Sequence, residues 1–414
     1  MSSNPAERRS TPSINLLRVR DNAPAKALTV NSSMVPEPQR TAARRLKICY
    51  VAETVRTGVG RHLRDLIEAM TARGHEIHLL HSFRRTDPHL LREIQDLPRV
   101  RCKAFAMRRE PHWSDISVIY ALARYIRRKG PFDVVHGHSS KGGAYARLLG
   151  LQSRCKRVYT PHAFVTMSPH LSSLYRGTYA CVERGLSHLS DRIICTSDLE
   201  RTHAVELGIR LDKLTVVPNG LSPYDVRMGS RARERLGSAA DVVVIGFVGR
   251  MDAQKAPERL VEAAARIIGR GRKLHIVMIG DGPLRESLMA LTRRLHIADA
   301  FSWLGVAVAR EWLTAFDVLA MPSRYEGFSY VLLEALHNGV PVVCTAVGGV
   351  AEAIEDGVNG FVVPHDDIDA LAHRLAQLAD DPDLRVRMGL CARRRSTQFS
   401  LQRMVDGTEE IYLS

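Results

Sequence analysis

From Lys47 onward, short apolar runs alternate with amphipathic stretches, and the runs have the length and content of strands buried on both faces. KICYVAE predicts the first strand, and Gly58-Val59-Gly60 a turn before a helix over Arg61–Thr71 that ends near Gly74. EIHLLHS, DVVHGHS and KRVYTPHAF predict further strands, followed by a helix over Tyr175–Leu189 and the strand DRIICTS. Ser197-Asp198-Leu199-Glu200 has the spacing of a capping box opening the next helix. LTVVPNG closes this half at Gly220. A second series starts at Asp241: VVVIGFVG, LHIVMIG, FSWLG, VLAMPS, PVVCT and GFVVP, each separated from the next by a helical stretch or loop. Strands alternating with helices imply right-handed crossovers and mostly parallel sheets. Two such series, joined by PNGLSPYD, predict an α/β protein of two doubly wound domains, 46–220 and 221–399, facing a cleft. Residues 400–414 are expected to form a helix that packs back on the first domain. Ligands of such sheets bind at the carboxyl ends of the strands, so the cleft is the expected site.

Composition narrows the class. The 414 residues are 45% apolar and 25% charged, ordinary globular usage. Lys and Arg number 59 against 44 Asp and Glu, a formal +15 that argues for anionic partners. The seven cysteines include no Cys-x-x-Cys pair, and most lie inside apolar runs as small buried hydrophobes, which suits a reducing cytosolic compartment. No apolar stretch approaches the roughly 20 residues that span a bilayer. The first residues, MSSNPAERRSTPS, carry no apolar core of a secretory signal. Residues 1–45 are rich in Ser, Pro, Ala and Arg, with eight basic and three acidic residues, and are expected to be a disordered basic tail.

The chemistry concentrates in the second series. IGFVG ends at Arg250, and Lys255 follows before a helix opened by Pro257. Two cations at a strand end beside a helix N-terminus make an anion site, and a diphosphate suits a fixed Arg with a mobile Lys. In PSRYEGFSYVLLEAL, Glu326 lies just after a strand at the cleft mouth and Glu334 about two turns into the following helix. Flanked by Leu332, Leu333 and Leu336, Glu334 is expected to be partly buried and to need partners, for which sugar or ribose hydroxyls are suitable. Asp367/Asp369 and Asp381/Asp383 give Asp-x-Asp pairs at helix starts, where Asp is an ordinary cap, so no metal is assigned to them. His136, His138, Ser140 and Lys141 lie in HGHSSKGG, and a place near an acceptor suits His138, Ser140 and Lys141 better than metal ligation. Gly58-Val59-Gly60 lacks the third glycine of a dinucleotide fingerprint, Leu63 standing in its place, and no acid ends the next strand.

The set GR-x4-K, IGDGPLRESL, WLGV, PSRYEGFSYVLLEAL and PVVCTAVGGVAEAIEDGVNGFVVP resembles the C-terminal half of family 4 glycosyltransferases, in order and spacing, over about 240–365. TGVGRHLRDL, HGHSSKGG, TPHAF and VVPNGL resemble the first half of the same family more loosely. The resemblance implies a GT-B fold of two Rossmann-like domains, a nucleotide-diphosphate sugar as co-substrate, retention of anomeric configuration, and no metal or other cofactor. It implies that Arg250 and Lys255 hold the diphosphate, that Glu326 contacts the donor sugar with help from the amides of Gly327 and Phe328, and that Glu334 holds the ribose. It places His162 near the reacting end of the sugar and Gly58 and Gly60 under the phosphates. Same-face attack assisted by the donor phosphate follows from the family rather than from spacing.

Arg99–Gly130 carries nine basic residues against Glu110 and Asp115, with Phe105 and Trp113 among them. An apolar stripe of Ile116, Ile119, Tyr120, Ala123 and Ile126, closed by Arg127-Arg128-Lys129, reads as a helix with cations at its C-terminus. Basic residues interleaved with aromatics suit an anionic membrane surface, whereas no nucleic-acid recognition motif is found. The expectation is therefore a retaining glycosyltransferase that acts on a lipid-linked sugar in surface polysaccharide or glycolipid synthesis, cytoplasmic and peripheral at the inner face of the membrane. Its rivals are another GT-B enzyme, such as a nucleotide-sugar epimerase or sugar-phosphate synthase, and a non-catalytic nucleic-acid-binding or scaffolding protein.

Overall fold

The structure, a computed structural model, describes residues 44–150, 154–226, 231–239 and 241–414. The expected tail lies outside the described residues up to position 43.

The first half runs β1 (Lys47–Ala52), α1 (Thr57–Ala72), β2 (Glu76–Ser82), α2 (Pro88–Gln95), β3 (Val100–Phe105), α3 (Asp115–Lys129), β4 (Val134–His138), α4 (Ser139–Leu149), β5 (Lys156–Thr160), α5 (Ser173–Ser187), β6 (Arg192–Cys195), α6 (Asp198–Glu206) and β7 (Leu214–Val216). Its strands form one parallel sheet in the order β3-β2-β1-β4-β5-β6-β7. The second half runs α7 (Ala232–Leu236), β8 (Val243–Val248), α8 (Pro257–Ile268), β9 (Leu274–Ile279), α9 (Arg285–Arg294), β10 (Phe301–Gly305), β11 (Val318–Met321), α10 (Tyr330–Asn338), β12 (Val342–Thr345), α11 (Val350–Ala353), β13 (Gly360–Val363), α12 (Ile368–Asp380) and α13 (Pro382–Ser396). Its parallel order is β10-β9-β8-β11-β12-β13. Each sheet therefore reverses direction of winding once, between β1 and β4 and between β8 and β11, and a crevice opens at each reversal. This is the doubly wound α/β architecture expected.

Every strand of the first sheet up to β6 except β3 is sealed by apolar contacts on both faces. Ile48, Tyr50 and Ala52 face one cluster and Cys49 and Val51 another. A final helix, α14 (Leu401–Leu413), contributes Met404, Val405, Ile411 and Tyr412 to the cluster beneath β1. Arg73 pairs with Asp406 and Glu409, and His75 Nε2 bonds Glu409 at 2.8 Å, so the C-terminal end of α1 is clamped to the body of α14.

Four readings differ in detail. The basic run after Arg99 contains an edge strand, β3, whose Arg101 and Lys103 alternate outward; charged edge positions discourage pairing with another chain. Gly58 and Gly60 are not a turn before a helix but lie within the first turn of α1. Glu334 stands one turn into α10, not two, because Ser329 is the N-cap. At α6 the hydroxyl of Ser197 accepts the Glu200 N–H at 3.1 Å, yet the Glu200 carboxylate reaches away to Thr196 and Ala163. Asp367 and Asp381 cap α12 and α13, accepting from Ala370 and Leu384.

Candidate active site

The loop after β8 carries the two predicted cations. Gly249 lets Lys255 fold back: a Cβ there would lie 3.3 Å from the lysine's aliphatic carbons. Lys255 Nζ donates to Glu326 Oε1 at 2.5 Å, and Ser323 Oγ donates to the same oxygen at 2.8 Å. Neither bond uses Oε2. Arg250 is paired with Asp252, which also accepts the Lys255 N–H at 3.1 Å. The loop after β11 is zipped to this one, Arg324 N–H to Gln254 O at 2.8 Å and Gln254 Nε2 to Tyr325 O at 3.2 Å. Both loops spring from the strands that flank the reversal of the second sheet, so Arg250, Lys255 and Glu326 meet at its crevice.

Helix α1 faces this group from the first half. Its opening turn leaves amide hydrogens unpaired within the helix, a partial positive charge suited to anions. Gly58 is exposed there, and a Cβ added to it would meet only the Tyr330 ring of α10, at 4.0 Å. Gly60 is buried, and a Cβ would stand 2.7 Å from the Val55 carbonyl carbon; close packing of the loop requires this glycine. Arg61, which sequence reasoning passed over, reaches across to pair with Glu334 and lies 4.9 Å from the centre of the Tyr330 ring. Glu334 is buried at 3% exposure, and this guanidinium answers its charge.

Behind α1 lies a cluster of imidazoles. His138 Nδ1 and His162 Nε2 are 3.0 Å apart, and the His62 and His162 rings meet edge to face at 4.6 Å. His136 bonds Tyr412 at 2.6 Å and Thr160 at 2.8 Å, so it is tied into the core and not into the cleft. Asn219 Nδ2 donates to Phe328 O at 2.7 Å, which turns its Oδ1 toward His62 Nδ1 at 2.9 Å. That oxygen can only accept, so His62 carries its proton on Nδ1 and presents Nε2 as a lone pair. Burial pushes His62 down to about 4 and holds His136, His138 and His162 well below the ordinary imidazole range, so all four are neutral at pH 7. One ring nitrogen from each of His62, His138 and His162 lies within 4.8 Å of the others, and the trio is the group of metal-ligating side chains found among the described residues. His138 Nε2 is buried without a partner.

Gly327 meets the first half directly. A Cβ there would lie 3.2 Å from Ala163 N, the His162 carbonyl carbon and Thr196 Oγ1. Phe328 is buried behind it against Phe399 and Gly349. The structure thus brings His162, Gly327, Glu326, Lys255, Glu334 and Gly58 to one cleft. Lys141 is engaged elsewhere, with Asp115 at 2.8 Å and Glu110 O at 2.6 Å, and Ser140 lies in the first turn of α4. Gly142 and Gly143 of the same motif are needed because α4 lies against β1 and β5, where a Cβ would fall 2.5 Å from Val51 O and 2.2 Å from the Tyr159 ring. Arg61, His62 and Asn219 had no local signal: their partners lie 273, 157 and 109 residues away.

Two family models match the chain: "Glycosyltransferase Family 4" over residues 56–223 and "Glycosyl transferases group 1" over 230–395. A D-inositol 3-phosphate glycosyltransferase of Saccharomonospora viridis is 31% identical over 304 residues, 68% of this chain and 70% of that protein. The protein of the same name from Kribbella flavida is 31% identical over 317 residues, 70% and 73% of the two chains. Among solved structures, a sucrose-phosphate synthase of Thermosynechococcus elongatus superposes with a TM-score of 0.77 at 21% identity, covering 88% of this chain and 98% of that one. Anabaena HepE in complex with UDP and glucose superposes with a TM-score of 0.76 at 20% identity, covering 88% and 99%.

Proposed function

This chain belongs to the family 4, or group 1, glycosyltransferases, with the GT-B fold, and from that premise we propose how its cleft works and what it serves. The enzyme is a retaining glycosyltransferase that uses a nucleotide sugar. Departure of the nucleotide builds negative charge on the diphosphate. Lys255, Arg250 and the first-turn amides of α1 stabilise that charge, because fixed donors in a shaped cleft need no reorganisation as the charge grows. The convergence of Lys255 and Glu326 at the reversal of the second sheet, opposite α1, is the observation that carries this reading. Glu326 orients the sugar through Oε2, Glu334 takes the ribose hydroxyls in exchange for Arg61, and His162 sits at the reacting end. With cations supplying the charge, no divalent metal is required. A uridine donor is favoured by the neighbours solved with UDP and UDP-glucose.

The acceptor is a lipid-linked sugar presented at an anionic membrane surface. Helix α3 exposes Ile116 and Tyr120 at 77% and 66%, next to Trp113 at 79%, with Arg124, Arg127 and Arg128 continuing the exposed face. Leu174 and Tyr175 of α5 are exposed as well. Apolar and aromatic side chains ringed by arginines are the chemistry of an interfacial helix. No described helix is long and apolar enough to cross a membrane. The relatives' name favours a second reading, in which the acceptor is a water-soluble phosphorylated polyol.

One assay separates them. Transfer from labelled UDP-sugars is measured into vesicles of acidic or zwitterionic lipid carrying a polyprenyl-diphosphate sugar, and into free inositol phosphates, with and without a chelator. Transfer into acidic vesicles, lost at high salt and indifferent to chelation, is the expected result. Transfer to free inositol phosphate alone selects the second reading.

A further inference from the structure

His162 and Ala163 are consecutive residues in the left-handed region, at φ +57° and +78°. Side chains bearing a Cβ rarely adopt that conformation, and it persists only where the surroundings hold it. Here the holding group is a carboxylate. Glu200 is fully buried in the first turn of α6. Its Oε1 accepts the Ala163 N–H at 2.6 Å, and its Oε2 accepts the Thr196 N–H at 2.6 Å and the Thr196 hydroxyl at 2.9 Å. No cation is paired with it among the described residues, and burial pushes its carboxyl above the usual range against the pull of these bonds. A plain capping box does not account for this, since the carboxylate makes no bond back to the N-cap amide of Ser197. Gly327 packs against the same turn so closely that an added Cβ would lie 3.2 Å from Ala163 N, the His162 carbonyl carbon and Thr196 Oγ1.

We propose that Glu200 is a positioning residue for glycosyl transfer: its two oxygens lock the strained His162–Ala163 turn and Thr196 into the seat that aims His162 and carries the Glu326–Phe328 loop. The inference rests on the reading that this loop and His162 serve the donor sugar. A carboxylate suits the task because both oxygens accept. A carboxamide has one accepting oxygen, so either the Ala163 or the Thr196 amide is left facing an NH2.

The test uses the full-length protein with Glu200→Gln, Ala163→Gly, the double variant, and His162→Ala. Melting, nucleotide affinity, kcat and KM are measured for each. Glu200→Gln is expected to lower kcat about ten- to a hundredfold, the scale of a misplaced reacting group, with UDP affinity within about twofold of the parent. Glycine takes φ +78° without an anchor, so Ala163→Gly in the Glu200→Gln background is expected to return most of the lost kcat. A purely structural role would lower the melting temperature and leave the turnover of the folded protein intact. The proposal is overturned if folded Glu200→Gln turns over within twofold of the parent, or if the double variant recovers its melting temperature and none of its kcat. If His162→Ala keeps full turnover while Glu200→Gln loses it and Ala163→Gly restores it, the anchoring stands and the role given to His162 falls.

Discussion

Lys255→Ala is expected to act on two axes that a second substitution separates. Lys255 Nζ lies 2.5 Å from Glu326 Oε1, with the two side chains 18% and 9% exposed. Removing the lysine leaves that oxygen with the Ser323 hydroxyl, a neutral donor 2.8 Å away. Breaking a fully buried pair from one side costs about 3–5 kcal/mol, and an exposed pair is worth under about 1 kcal/mol. This pair lies between those limits, so a loss of about 2 kcal/mol is expected. At the roughly 2–4 °C per kcal/mol typical of larger domains, that is a fall of about 4–8 °C in Tm. The second axis is catalytic. A charge-assisted contact to the diphosphate is worth about 1.5–3 kcal/mol, which lowers kcat/KM by about 10- to 100-fold, with the fall in kcat outweighing the rise in KM because the charge grows in the transition state.

Adding Glu326→Gln to Lys255→Ala removes the stranded charge. Tm should recover by most of the loss while activity stays low or falls further. Differential scanning calorimetry and initial-rate kinetics on the same preparations give both readouts. A double variant that melts no higher than Lys255→Ala refutes the stranding of the carboxylate. Lys255→Ala with unchanged kcat/KM refutes the placement of the diphosphate.

Glu334→Gln should weaken binding of the bare nucleoside diphosphate by about 1.5–3 kcal/mol, the scale of a hydrogen bond to a charged group, whereas Glu326→Gln should damage turnover more than that affinity. Isothermal titration with UDP separates the two, and equal losses of UDP binding would contradict the division of roles. Stability should fall as the pH drops from about 6.5 toward 4. His62, His136, His138 and His162 are held neutral in the fold, so the unfolded chain binds more protons in that window, and stability rises with pH through it. His62 alone, displaced from about 6.5 to about 4, accounts for about 3 kcal/mol by pH 4. A melting temperature flat between about pH 6.5 and 4.5 would overturn this, and His62→Gln should reduce the slope.

The sheets were legible because their strands are buried on both faces and so read as unbroken apolar runs. EIHLLHS matches β2 residue for residue, and the second-half strands fall within a residue or two of their runs. β3 was not legible, since an edge strand with Arg101 and Lys103 turned to solvent carries the signature of a basic surface. The cations after β8 were legible because a strand end, a glycine and a following helix are all local. Arg61, His62 and Asn219 were not, because what makes them part of the site is the packing of one sheet's crevice against the other's. Glu200 was seen, but as a cap: its spacing from Ser197 fits one, and only the fold brings Ala163 within 2.6 Å of its carboxylate.

The cleft is lined by cations that are each already held. Arg250 rests on Asp252, Lys255 on Glu326 and Arg61 on Glu334. Unpaired, three such side chains would repel one another and sweep through many rotamers, and ordering them would draw on the binding energy of the donor. Paired, they cost little to order but must share or exchange their partners when a diphosphate enters. The pairs differ in this respect. Asp252 also fixes the backbone of Lys255, so its bond to Arg250 is suited to persist and orient the guanidinium. The Arg61–Glu334 pair joins α1 to α10 across the cleft, so a ribose that took Glu334, as proposed, would release Arg61 beside the opening turn of α1, where the phosphates are expected. In the roles proposed above, one exchange would free a carboxylate for the hydroxyls and a cation for the charge, and so tie recognition of the nucleoside to stabilisation of the leaving diphosphate.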